Sequence, residues 1–485
     1  MEEAIALKPR TKIVATIGPA TDTLQSIESL LLSGVNVARI NFSHGSHSDH
    51  RRRVGYIREV ANKHQLAVAI LGDLQGPKIR IARFKEDKVK LSLGQTFILD
   101  MQLATNNGDV HRVGVDFPAL IDSIKSGDIL LLDDGRIRLK VTAIKGSEIH
   151  TSVIMHGVLQ NNKGINKMGG GLSAPALTDK DKRDIPVISE LKMEYAAVSF
   201  PCSAQDMIEA KGLLEAAGSS ALVIAKIERA EVVEDASLMD EIIEASDAIM
   251  VARGDLGVEI GEAGLIGVQK KLIKRSLQLN RPVITATQMM ESMIEKSMPT
   301  RAEVFDVANA ILDGTDAVML SAETASGLYP DKVVSTVREI CLGAEKHDSL
   351  SHVISLDEMT DHVISSDNAI AKAAVKTARI MPDIKAIICL TESGNTALWA
   401  SRLNTHIRIF ALTPHVATFN RVSLFKGVQP IMFDPNDFPV GSVSRHALNL
   451  LKELKLVSKD EKLILTMGDN MSIQGSTNTL KILQA

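Results

Sequence analysis

Lys226 and Glu228, two residues apart in IAKIE, and Asp255 in ARGDLG are the side chains best suited to chemistry in this 485-residue chain. Around them stand Arg39, Asn41, Ser43 and His44 of ARINFSHG, then Asp73, Arg253, Thr287, Ser321 and Glu323. The set mixes cations, carboxylates and hydroxyls, without a Ser-His-Asp arrangement or a cluster of histidines. It suits phosphate and divalent-metal chemistry better than acyl transfer or zinc hydrolysis. Two carboxylates that leave oxygens of water and substrate to complete the shell match magnesium, although such acids also pair structurally with arginines such as Arg229 or Arg253. Lys226 ends the apolar run LVIAK, where an unpaired amine would lose its proton. Two chemistries compete for it, an ammonium clamp on a transferring phosphoryl group and a Schiff-base nucleophile. The neighbouring acids favour the clamp by keeping the amine charged. The glycines of GDLG let backbone N–H groups approach an anion, so a substrate carboxylate fits against Ala252, Arg253, Gly254 and Asp255, with the Thr287 hydroxyl as a further donor.

Most of these residues stand where short apolar runs end. The runs are 12–17, 35–41, 67–72, 196–200, 221–226, 248–251, 282–287 and 317–321, and amphipathic segments such as TLQSIESLLLSG and QKKLIKRSLQLN lie between them. Uninterrupted apolar strands are buried on both faces, which fits a parallel sheet covered by helices. Eight is the number that closes a (β/α)8 barrel, and an open doubly wound sheet is the alternative. In such a barrel the functional residues gather at the C-terminal ends of the strands.

About a hundred residues between the third and fourth runs carry strand and turn signals instead, with Asp134-Gly135 marking a hairpin. They predict a small β-barrel inserted beside the barrel mouth, where a lid belongs. After about Glu345 helix-like and strand-like segments alternate again, predicting a separate open α/β unit. The expected division is 1–74 with 173–345 for the barrel, 75–172 for the lid and 346–485 for the C-terminal unit.

A net charge of -4 argues against nucleic-acid or polybasic membrane partners. Cys202, Cys341 and Cys389 show no metal-ligand or CxxC spacing and read as reduced thiols. The opening MEEAIALKPRTK lacks the apolar core of a signal peptide, and no apolar run reaches membrane-spanning length. A cytoplasmic enzyme is expected.

The segments TKIVATIGPAT, VARINFSHG, GDLQGPKIR, LLLDDG, NNKGIN, IAKIERAE, MVARGDLGVEI, TATQMMESM and DAVMLSAETASG resemble pyruvate kinase in order along nearly the whole chain. The resemblance implies phosphoryl transfer from phosphoenolpyruvate to ADP, giving pyruvate and ATP, by a homotetramer with a C-terminal effector unit. Carried over by position, Arg39 and Lys226 hold the phosphate, and Glu228 and Asp255 bind magnesium or manganese. The Ala252–Asp255 backbone and Thr287 hold the substrate carboxylate. Asn41, His44, Arg80 and Lys163 meet the nucleotide. Water ordered near Thr287 and Ser321 is the expected proton source for the enolate.

Two departures from the familiar animal pattern stand out. Potassium-dependent members carry a glutamate where this chain has Lys78 and a threonine where it has Leu74. Asn41, Ser43 and Asp73 match the monovalent-cation ligands, but an ammonium at Lys78 could take the ion's place, which predicts potassium-independent activity. In TESGNTA, the effector loop formed by Thr391, Ser393, Gly394, Asn395 and Thr396 contains no cation. That points to a sugar monophosphate, a nucleotide or no effector rather than a doubly phosphorylated sugar, with GSTNT facing the same pocket. Two other functions compete, a barrel aldolase or lyase acting on a 2-oxo acid and a catalytically silent effector-binding protein. The first leaves the lid cations without a task, and the second leaves every site residue unused.

Overall fold

Eight parallel strands close on themselves in the order one, eight, seven, six, five, four, three, two. They are Lys12–Ile17, Val37–Asn41, Ala69–Asp73, Tyr195–Val198, Leu222–Ile227, Ala248–Ala252, Val283–Ala286 and Ala317–Leu320. The computed structural model describes residues 8–172, 174–347, 365–403, 405–470 and 473–485. The first seven residues of the opening segment, Ser173 at the expected lid boundary and residues 348–364 of the expected C-terminal unit lie outside the described residues.

Strands one, three and six are buried at every position, because lining the barrel and carrying the helices leave neither face to solvent. Local chemistry sets where several of the outer helices begin. Thr23, Ser46, Thr178 and Thr300 each accept a backbone N–H three residues on, in capping boxes that open helices Leu24–Leu32, His47–Lys63, Asp179–Glu190 and Arg301–Leu312. Ser46 thus caps the helix that follows strand two.

The insertion leaves the barrel after strand three. Its six-stranded sheet runs Ile165–Lys167, Ile129–Leu132, Ile137–Lys145, Glu148–Met155, Thr96–Asp100, Arg112–Gly114, beside a ribbon of Lys88–Leu91 with Gly157–Gln160. Arg80 bridges Gly164 at one edge of the sheet and Ile81 bridges Val115 at the other, so the sheet curls into a small barrel. The hairpin around Asp134-Gly135 forms with Asp133, Asp134 and Gly135 all at positive φ, the conformation that this turn chemistry supplies. The insertion has its own hydrophobic core.

The C-terminal unit is an open five-stranded sheet ordered Val428–Met432, Arg408–Thr413, Ile384–Leu390, Lys462–Gly468, Thr477–Gln484. Four strands are parallel, and the fifth is an antiparallel edge strand. GSTNT leads into that edge strand as well as reaching the pocket beneath it.

Candidate active site

Asp73 ends strand three and is 1% exposed. Its Oδ2 lies 2.7 Å from Arg39 Nε, and its Oδ1 lies 3.4 Å from Lys226 Nζ. One buried carboxylate therefore holds two cations side by side at the mouth. The two positive charges keep its pKa low against the opposing effect of burial. Arg39 Nη1 also donates to Thr16 Oγ1 at 2.9 Å, and that hydroxyl donates to the Leu320 carbonyl, so strand eight and strand one orient the guanidinium.

Lys226 has two further partners, Glu228 Oε1 at 3.0 Å and Ser199 Oγ at 2.6 Å. Burial works against its charge, but Asp73 and Glu228 outweigh it and hold the amine above the ordinary lysine range. The group is an ammonium at neutral pH, as a phosphate clamp requires and a Schiff-base nucleophile does not. Glu228 is also buried, with Oε2 accepting from Phe200 N at 2.8 Å. Burial pushes its carboxyl up to about 7, with Lys226 opposing the rise and Asp255 adding to it. Two neighbouring carboxylates repel one another, and a cation between them relieves that repulsion. Their hard oxygens fit a magnesium-type ion, the rest of whose shell comes from substrate and water. No cluster of three or more potential metal ligands occurs among the described residues.

Asp255 lies in the first turn of helix Arg253–Ile260, directly after strand six. The N–H of Gly254 donates to Thr287 Oγ1 at 2.8 Å, and Thr287 Oγ1 donates to the Ala286 carbonyl at 2.6 Å. Thr287 adopts φ 68°, a strained left-handed conformation that brings its hydroxyl to the helix start. Arg253 is turned away, onto Asp306 at 2.7 Å and the Thr287 carbonyl at 2.7 Å, so it offers the mouth only its backbone. Glu323 is spent on backbone, accepting from Ser321 N and Met290 N.

Strand ends two, three, five, six, seven and eight supplied the expected residues, whereas strands one and four contribute Thr16 and Ser199 unanticipated. The available signal was positional, since each is a hydroxyl residue one position before the end of an apolar run.

Residues 8–334 match the family description "Pyruvate kinase, barrel domain", and residues 368–483 match "Pyruvate kinase, alpha/beta domain". The chain belongs to the pyruvate kinase family. It is 52% identical over 476 residues to pyruvate kinase II of Salmonella typhimurium, covering 98% of each chain. It is 49% identical over 470 residues to the pyruvate kinase of Haemophilus influenzae, covering 97% of each. The crystal structure of a pyruvate kinase from Cryptosporidium parvum superposes with a TM-score of 0.91 at 32% identity, covering 100% of this chain and 99% of the other. The activity of this chain is accordingly that of a pyruvate kinase, an enzyme family that depends on divalent metal.

In this pyruvate kinase the expected nucleotide cations lie on the insertion. Arg80 Nη1 donates to the Asn162 carbonyl at 2.9 Å, and Lys163 Nζ lies 2.7 Å from Asp133 Oδ1. His44 is exposed on the loop after strand two, where Asn41 Oδ1 accepts from Ser43 N at 3.0 Å. Lys78, expected among Asn41, Ser43 and Asp73, instead forms an ion pair with Asp255 Oδ1 at 3.1 Å. The C-terminal pocket gathers Thr391, Ser393, Asn395 and Thr396 with Gly475, Ser476 and Thr477. Among the described residues its lining includes the acids Asp367 and Glu392 and no lysine or arginine. Gly394 precedes helix Asn395–Arg402 at φ 94°, and its N–H donates to Thr391 Oγ1. No helix among the described residues is long and apolar enough to cross a membrane.

Proposed function

We propose that the barrel mouth transfers the phosphoryl group of phosphoenolpyruvate to ADP with Lys226 and Arg39 as its catalytic cations. The observation that carries this reading is the shared carboxylate of Asp73, which keeps two positive heads adjacent in a buried site. In phosphoryl transfer, charge spreads over three equatorial oxygens and the protein mainly positions and neutralises it. Lys226 and Arg39 supply that neutralisation at fixed positions without reorganising. The backbone at Ala252, Arg253, Gly254 and Asp255 binds the substrate carboxylate at a helix start, and Thr287 holds that turn in place. Glu228 and Asp255 would hold magnesium or manganese, which supplies Lewis-acid neutralisation of the phosphoryl oxygens. Asn41, His44, Arg80 and Lys163 bind the nucleotide phosphates, the last two arriving on the insertion as a lid. Ser321 and Thr287 order the water that protonates the enolate on carbon, and ketonisation drives the reaction toward ATP.

Potassium is not required on this reading, because Lys78 brings its own positive charge to the mouth. The C-terminal pocket takes a phosphorylated effector, a sugar monophosphate or a nucleotide, held by hydroxyls and the helix N-terminus. The barrel spans 1–74 with 173–345, the lid 75–172 and the effector unit 346–485. A cytoplasmic homotetramer is supported by the exposed apolar side chains of Met298, Phe305 and Leu328 and by buried free thiols at Cys341 and Cys389.

The decisive measurement is turnover of Lys226→Met with phosphoenolpyruvate, ADP and magnesium, scored for pyruvate and ATP. A fall on the order of 10² or more is expected, as for loss of a preorganised transition-state donor. Turnover near that of the unaltered enzyme would remove Lys226 from the mechanism.

A further inference from the structure

The Lys226 ammonium has three protons and three acceptors, and two of those acceptors are carboxylates with competing obligations. Asp73 is shared with Arg39. Glu228 is shared with Phe200 N and, on the reading above, with a divalent ion. The third acceptor, Ser199, is neutral and committed in one direction. Its own proton is spent on the Leu74 carbonyl at 2.8 Å, so a lone pair is left facing Lys226 at 2.6 Å. Ser199 is 1% exposed, and no solvent competes for that lone pair.

The local backbone is built to hold this arrangement. Phe200 adopts φ 55°, a conformation that costs about 1–3 kcal/mol in a non-glycine residue and persists only where its surroundings impose it. The turn lets Ser199 face Lys226 while the next N–H holds Glu228 Oε2. The Phe200 carbonyl accepts from Arg229 Nε at 3.1 Å, so one turn after strand four grips three residues at the end of strand five. On its other side Ser199 abuts the root of the insertion. A Cβ on Gly76 would lie 2.6 Å from Ser199 Cβ, and Gly76 itself sits at φ 67°. Leu74 and Gly76 are the residues through which the chain passes from strand three toward the lid.

We propose that Ser199 is a positioning residue for phosphoryl transfer, fixing the Lys226 ammonium and registering it against the root of the insertion. The proposal rests on Lys226 being the catalytic cation. When substrate draws the two carboxylates into other contacts, the serine hydroxyl remains the fixed point from which the ammonium is aimed. It contributes no charge and reaches no reacting atom, so its loss weakens the transition state more than the ground state.

The test compares Ser199→Ala and Ser199→Cys with Lys226→Met, measuring kcat, the KM for phosphoenolpyruvate and the thermal midpoint. Both serine variants are expected to lose about 10- to 100-fold in kcat, the scale of one charge-assisted hydrogen bond or of a small misplacement of a reacting group. KM and the thermal midpoint should stay close to those of the unaltered enzyme. Cysteine keeps the volume but is a poor acceptor, so a fall in Ser199→Cys assigns the loss to the hydrogen bond rather than to a cavity. Wild-type turnover in either serine variant, or a loss that tracks the thermal midpoint, overturns the positioning role. If Lys226→Met stays active, the assignment of Lys226 fails instead.

Discussion

Lys78 and Asp255 form the contact at which the divalent and monovalent ion questions meet. Each oxygen of Asp73 already faces a cation, and the Asn41 carbonyl oxygen already accepts an N–H, so a free potassium ion there would find its ligands engaged. With an ammonium also within 3.1 Å of Asp255, the mouth carries three cationic side chains. Another monovalent ion would add repulsion that only bound substrate could offset. Activity should therefore be the same in potassium, in sodium and with neither, measured at constant ionic strength with a bulky organic cation. Strong activation by potassium would refute this. The side chain of Lys78 is 27% exposed, so its pairing with Asp255 is a weak tether.

The insertion meets the barrel along helix Arg253–Ile260. Glu259, near the end of that helix, accepts from Ala230 N at 2.9 Å and from Asn166 Nδ2 of the insertion at 3.4 Å, and its backbone carbonyl accepts from Gly169 N. Burial pushes its carboxyl up to about 7, with Glu231 adding to the rise while Arg229, the Ala230 N–H and Asn166 oppose it. A carboxyl raised by this packing holds its proton while the insertion covers it and releases the proton when the contact is lost. The packing of the insertion on this helix is therefore tightest below pH 4.5 and weakens as pH rises toward 7, by at most about 3 kcal/mol. Hydrogen exchange of the segment from Ile165 to Leu172, corrected for its intrinsic pH dependence, should report that weakening. Glu259→Gln should flatten it, and an identical pH profile in the variant would exclude Glu259 as its source.

At this same scale much was legible beforehand. The eight barrel strands announced themselves because strands buried on both faces must be apolar throughout, and a charged residue ending such a run, such as Arg39 or Lys226, is conspicuous. Ser199 was not conspicuous, because a serine after AAV has many structural uses and only the fold brings it to Lys226. The role of Asp73 as a bridge between Arg39 and Lys226 was likewise hidden, since the three come from separate strands. The antiparallel edge strand Thr477–Gln484 carries no comparable signal, because it is largely exposed or half-buried and needs no continuous apolar run.

Across the whole molecule, the barrel shares one continuous apolar core with part of the C-terminal unit, while the rest of the C-terminal sheet and the insertion each keep a core of their own. Arg402, at the end of the helix that starts at the C-terminal pocket, is buried against Asp316 at the foot of strand eight, with Nη1 to Oδ2 at 2.7 Å. Asp316 also accepts from Lys426 N and Val283 N, and Lys12 Nζ donates to the Val428 carbonyl nearby. Arg402→Ala leaves a buried carboxylate uncompensated and should cost about 3–5 kcal/mol. Calorimetry should show the barrel and C-terminal transitions falling together, with the insertion little affected; an unchanged midpoint would mean that the pair contributes no net stability.

The closure of the barrel through strands one and eight also sets an order on biosynthesis. Lys12–Ile17 leaves the ribosome before the other barrel strands, yet one of its two neighbours, Ala317–Leu320, is translated only after the insertion and the six intervening barrel strands. Through that interval the nascent chain exposes an unpaired apolar strand edge, the kind of surface that recruits other chains. The insertion, a contiguous stretch complete long before then, can already have folded.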